Sequence, residues 1–163
     1  MPEFHLDTSG QVPFAGRDGP LQYARAWADL DAFTQGYIEA LFFTSQGDGE
    51  PGTDNASGLW VEHEDEPGLW SNEFGFADLA PEALASIIED CAKFQALDVW
   101  KGADRLPDDT RGGRDFWYTR NGHGCGFWDG GWPEPYASQL TDASKAFRSL
   151  DAYLGDDGKV YLS

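Results

Sequence analysis

The residues best suited to chemistry stand together in GRDFWYTRNGHGCGFWDGG, residues 113–131, where His123 and Cys125 lie two apart with Asp115 and Asp129 close by. An imidazole within hydrogen-bond reach of a thiol takes its proton and leaves a nucleophilic thiolate. Such pairs are usually assembled from distant segments, whereas these two share one glycine-flanked turn. A turn histidine and a small buried cysteine account for them better. That reading is adopted, so no catalytic residue is assigned, and His123 with Cys125 stays the alternative centre of a small enzyme or metal-dependent protein. The spacing of HGCGFWD lacks the paired ligands of a zinc site, and His5, His63, His123, Cys91 and Cys125 are scattered. A calcium loop counted from Asp48 fails as well: Glu50 suits its third position, but Gly52, Thr53 and Leu59 occupy its fifth, sixth and twelfth. Neither phosphate loop, dinucleotide fingerprint nor nucleophile elbow is present. The expectation is no metal and no cofactor.

Charge is more informative. The 163 residues carry 11 Lys plus Arg against 29 Asp plus Glu, a net charge of −18. Residues 26–92 hold fifteen of the acids and no Lys or Arg at all. Ordinary surfaces interleave the two signs, because nearby opposite charges relieve self-repulsion. Direct nucleic-acid binding needs a basic stripe, and this chain has the reverse. The acidic block instead fits a basic partner, with Asp48, Glu50, Asp54, Glu62, Glu64, Asp65, Glu66 and Glu73 as its contact residues. Trp60 and Trp70 supply either apolar anchors for that partner or pins to the core. Arg105, Arg111, Arg114 and Arg120 read as internal counter-charges joining the two halves.

The elements that must carry these residues are read from periodicity. Residues 1–20 are Gly- and Pro-rich and read as an extended lead-in to a single domain, 21–163. From Leu21 to Thr44 the apolar residues Trp27, Leu30, Tyr37 and Leu41 recur at helical steps. Residues 45–76 read as a long acidic loop with a short strand at Leu59 to Val61. In DLAPEALASIIEDCAKFQAL, Pro81 suits a first helical turn, and Leu84, Ile87, Ile88, Cys91 and Phe94 form one stripe that buries Cys91. Residues 98–112 read as a charged loop. DFWYT and CGFWD flank an Asn-Gly pair and predict an aromatic β-hairpin. PYASQLTDASKAFRSL predicts a third helix, and DAYLGDDGKVYLS a terminal strand pair turning at Asp157-Gly158. The fold class expected is α+β, about three helices packed on a small antiparallel sheet of β-hairpins. With 24 aromatics against four Val and three Ile, the core is expected to be aromatic and leucine-rich. Two cysteines, no apolar run of membrane-spanning length and no basic-then-apolar start point to a cytoplasmic protein.

DFWYTRNGHGCGFWDGG, LTDASKAF and DAYLGDDGKVY, with FTQGYIEALFFT and LAPEALASIIEDCAKF before them, resemble a family of small bacteriophage and mobile-element proteins. That family carries no established activity, so the resemblance implies a context and no catalytic residues. Its context suggests a non-enzymatic inhibitor of a host DNA-binding defence protein, of the anti-CRISPR or anti-restriction type. Carboxylates would stand in for DNA phosphates in the bacterial cytoplasm. The remaining alternative is an acidic accessory phage protein.

Overall fold

In the computed structural model, which describes residues 26–103 and 107–163, Asp31 starts the first long helix. Its carboxylate accepts the Thr34 N–H at 2.7 Å, satisfying a donor that the helix itself cannot. Helix α1 (Ala32–Thr44) follows. Residues 26–29 are helical too, but the chain breaks at Leu30 and Asp31, so the single helix expected over 21–44 is two pieces. The lead-in at 1–20, residues 21–25 and Arg105 lie outside the described residues.

Residues 45–76 fold into a small lobe. Strands β1 (Val61–Glu62) and β2 (Trp70–Ser71) pair antiparallel, Val61 opposite Ser71. Beside them, Asp48 and Ser57 exchange both backbone hydrogen bonds at 2.9 Å, and Leu59 donates to the Ser45 carbonyl at 3.1 Å. After a short 3-10 turn at Phe76–Asp78, helix α2 (Pro81–Gln95) runs with Pro81 in its first turn and Ala83, Leu84, Ile87, Cys91 and Phe94 buried. A one-turn helix α3 (Asp98–Gly102) and helix α4 (Asp109–Arg120) occupy most of the stretch expected as a charged loop. Helix α5 (Tyr136–Lys145) and the antiparallel strands β3 (Ala152–Leu154) and β4 (Val160–Leu162) complete the chain.

The chain is therefore α-rich and does not place three helices on a sheet of hairpins. The decisive difference is DFWYT, which lies in α4 and not in a strand. Asp108 caps that helix, its carboxylate accepting the Arg111 N–H at 2.9 Å. At the other end Gly122 takes a left-handed φ of 71°. The N–H of Gly122 reaches the Thr119 carbonyl at 3.3 Å, and that of His123 reaches the Tyr118 carbonyl at 3.0 Å. Asn-Gly is thus the closing turn of a helix, where glycine meets the same positive-φ requirement as in a hairpin.

Glycines explain why a helix wins here. A Cβ on Gly113 would overlap the Phe33 carbonyl oxygen, and a Cβ on Gly36 would overlap the Thr110 carbonyl oxygen. Helices α1 and α4 cross backbone to backbone at these two bare positions. A Cβ on Gly112 would occupy the space of the Trp100 indole. The close crossing presses Phe33 and Tyr37 of α1 against Phe116 and Trp117 of α4, with Tyr37 and Trp117 edge to face at 5.2 Å. Phe94 of α2 stacks on Phe116 at 4.3 Å and on Phe127 at 5.7 Å. The centre is a continuous cluster of rings sealed by Leu41, Leu84 and Leu140.

Candidate functional site

Two regions carry the residues singled out by sequence. The first is the loop after α4. His123 is held by its backbone bond to Tyr118, and its ring stands edge-on to the Tyr118 ring at 6.0 Å. Among the described residues no hydrogen bond joins His123 to Cys125. Burial pushes the Cys125 thiol up, and the neighbouring Asp115 and Asp129 carboxylates push it further. That keeps the sulfur protonated, the opposite of an activated nucleophile. Burial raises the Cys91 thiol as well, and Cys91 sits wholly inside the α2 stripe. No group of three or more His, Cys, Asp or Glu among the described residues is placed to hold a metal ion.

Asp115 serves this loop in a way that the strand reading hid. It is 4 % exposed, and its Oδ2 accepts the Trp132 indole N–H at 2.7 Å and the Arg111 Nε–H at 3.3 Å. Burial raises its carboxyl above the usual range, opposed by the Trp132 hydrogen bond and the Arg111 charge. Arg111 also donates to the Gly130 carbonyl at 2.9 Å, and the Phe127 N–H reaches Thr119 Oγ1 at 3.1 Å. These ties fold residues 126–132 back over α4 and drive Phe127 and Trp132 into the ring cluster. The arrangement builds a scaffold. Its sequence signal was the four-residue spacing of Arg111 and Asp115, which pairs side chains only on a helix.

Two of the arginines read as counter-charges reach the acidic half. Arg114 pairs with Glu39 at 2.9 Å, joining α4 to α1, and Arg120 pairs with Asp90 at 2.8 Å, joining α4 to α2. The Arg120 guanidinium also donates to the Tyr37 hydroxyl at 3.1 Å and to the Arg148 carbonyl, between the Phe116 and Phe147 rings. Burial raises the Tyr37 hydroxyl and keeps it neutral. The ion pair of Arg111 stays within its own helix, on Asp115.

The second region is the acidic lobe. Asp48, Glu50, Asp54, Glu62, Glu64, Asp65, Glu66 and Glu73 are all exposed. Among the described residues none of them forms an ion pair; those pairs use Glu39, Glu89, Asp90 and Asp115. Asp48 and Glu62 instead cap turns, accepting the Gly49 and Gly68 N–H groups at 2.8 and 2.7 Å. Trp60 and Trp70 are half-buried within the lobe. A Cβ on Gly47 would lie 2.5 Å from the Trp60 ring, and one on Gly52 would lie 3.2 Å from the Trp70 ring. Of Leu59, Trp60 and Trp70, the one buried in the main core is Leu59, 3 % exposed. Asn72 Nδ2 donates to the Gly47 carbonyl at 2.8 Å and closes the lobe.

Where the lobe meets α1 there is a groove of about 820 Å³. Phe42, Phe43 and Glu39 form one wall, Asn72 to Phe76 the other, and Tyr118 and Arg114 of α4 one end. No local pattern of residues marks it, because its walls are brought together only by the fold of residues 45–76. Among the described residues no helix is long and apolar enough to cross a membrane. No protein-family model, curated protein or solved structure matches this chain.

Proposed function

We propose that the protein is a non-enzymatic inhibitor whose acidic lobe occupies the basic nucleic-acid site of a DNA-binding protein, its carboxylates replacing phosphates. One observation carries this: eight exposed carboxylates on residues 48–73, none ion-paired among the described residues, in a stretch without Lys or Arg. Uncompensated charge raises the self-repulsion of a free protein, and a partner of opposite sign relieves it. Duplex DNA presents one charge per about 1.7 Å, so eight carboxylates match the charge of about 14 Å of duplex. The lobe's backbone pairing holds them in a defined arrangement, which lowers the ordering cost of binding. The resemblance to bacteriophage and mobile-element proteins supports a host-defence nuclease or restriction component as the target, in the bacterial cytoplasm.

The test is affinity capture from a bacterial lysate with the parent and with a fourfold variant, Glu62→Lys, Glu64→Lys, Asp65→Lys and Glu66→Lys. Captured nucleic-acid-binding proteins should elute with rising salt, be displaced by added duplex DNA and be absent from the variant's eluate. Partners retained equally by the variant, or indifferent to both salt and DNA, would refute mimicry.

A further inference from the structure

We infer that the groove between α1 and residues 72–76 receives an aromatic side chain flanked by Arg or Lys on the basic partner; this rests on the proposed function above. The groove's interior is apolar and aromatic. Trp27 and Phe76 stand edge to face at 5.0 Å, with Phe42, Phe74 and Tyr118 around them. Its volume of about 820 Å³ falls in the range of about 300–1,000 Å³ usual for built ligand clefts. An aromatic side chain with part of its backbone fits well within it.

The rim singles out one residue. Phe43 is 67 % exposed on the last turn of α1, whereas Phe33, Tyr37, Ile38 and Leu41 of the same helix are buried. A large exposed ring at the mouth of an apolar groove is the arrangement of an interface anchor, where aromatic residues dominate binding energy.

Charge then selects the occupant. Glu39 is already held by Arg114 at 2.9 Å. Glu73, on the opposite wall, is exposed and has no ion pair among the described residues. The lobe that forms this wall carries eight acids and no cation. An apolar segment flanked by acids is repelled here. One flanked by Arg or Lys meets Glu73 and lays its cation against the exposed Phe43 ring. Groove and lobe are continuous, so one basic protein segment can engage both.

The test is a backbone amide NMR titration of the full chain with three capped tripeptides, Arg-Trp-Arg, Ala-Trp-Ala and Glu-Trp-Glu. Arg-Trp-Arg should shift the Phe43, Phe74 and Tyr118 amides and bind at least about tenfold more tightly than Glu-Trp-Glu. Phe43→Ser should weaken it by about tenfold, and Glu73→Gln by about threefold. Because Phe43 is so exposed, the circular dichroism and Tm of Phe43→Ser should match the parent. Equal affinity for all three peptides, or shifts confined to residues 48–66, would overturn the inference. So would groove shifts that depend on protein concentration without peptide, since a second copy would then be the occupant. Salt-sensitive, DNA-competed capture without groove shifts would sink this inference alone. Groove binding with capture indifferent to salt would sink the mimicry reading instead.

Discussion

Replacing Gly113 by Ala tests the helix crossing on which the whole core depends. In a solvated helix the change is favourable by about 1 kcal/mol, because glycine loses the most backbone freedom on folding. In this structure the new methyl would overlap the Phe33 carbonyl oxygen, and would sit 2.7 Å from the carbonyl carbon and 2.8 Å from the Tyr37 nitrogen. Ordinary contact begins at 3.4 Å, and the overlapped Phe33 oxygen is the limiting atom, so α1 and α4 must separate by roughly 1.5 Å there. The obstacle is backbone, which cannot rotate aside as a side chain can. Overpacking of this kind costs about 1–3 kcal/mol, and a gap of that width also loosens Phe33 and Tyr37 against Phe116. We expect a net loss of about 2 kcal/mol, or a Tm lower by about 4–8 °C for a chain of this size. Urea unfolding followed by tryptophan fluorescence measures it, with Gly102→Ala as control, since a Cβ there meets nothing within 4 Å. A Gly113→Ala protein as stable as the parent would refute the close crossing and revive the strand reading of this segment.

Two further outcomes follow from the buried charges. Arg120→Met strands Asp90, the Tyr37 hydroxyl and the Arg148 carbonyl at once, and should cost about 3–5 kcal/mol by urea unfolding. Arg120→Lys, which keeps the charge, should lose less. Asp115 holds its proton more tightly folded than unfolded, so its contribution is greatest below the ordinary Asp range and is lost as pH rises from about 4. Asp115→Asn keeps an acceptor for Trp132 but does not titrate. Its stability relative to the parent should therefore improve with pH above about 4, and a constant or opposite difference would show that burial does not dominate at this carboxyl.

How far the fold can be read from the residues depends on which forces leave a local mark. Helix α2 is legible because Pro81 sets its start and its stripe of apolar positions keeps helical period throughout. The terminal β3–β4 hairpin is legible because Gly158, at a φ of 76°, has no role but the turn. DFWYT misleads because adjacent aromatics have strand propensity, and because Asn-Gly serves hairpins and helix ends alike. Asp108 fourteen residues before Gly122 marks a helix of the right length, but only to a reader who counts caps before counting rings. The acidic block is plain in the sequence, yet its exposure and lack of partners come from the lobe's own fold. The division of labour among Leu59, Trp60 and Trp70 follows from which side chain finds a bare glycine to cover.

The lobe's lack of cations sets two salt responses against each other. In the free protein, dissolved ions screen the repulsion among Asp48, Glu50, Asp54 and the Glu62–Glu66 cluster, so the fold gains stability as ionic strength rises. In a complex with a basic surface the same ions compete with the partner, so the association weakens over the same range. The conditions in which the isolated protein is best behaved are thus those in which it is least able to bind. If the proposed basic partner is its target, the protein would be driven to it most strongly in dilute electrolyte, where it is least comfortable alone.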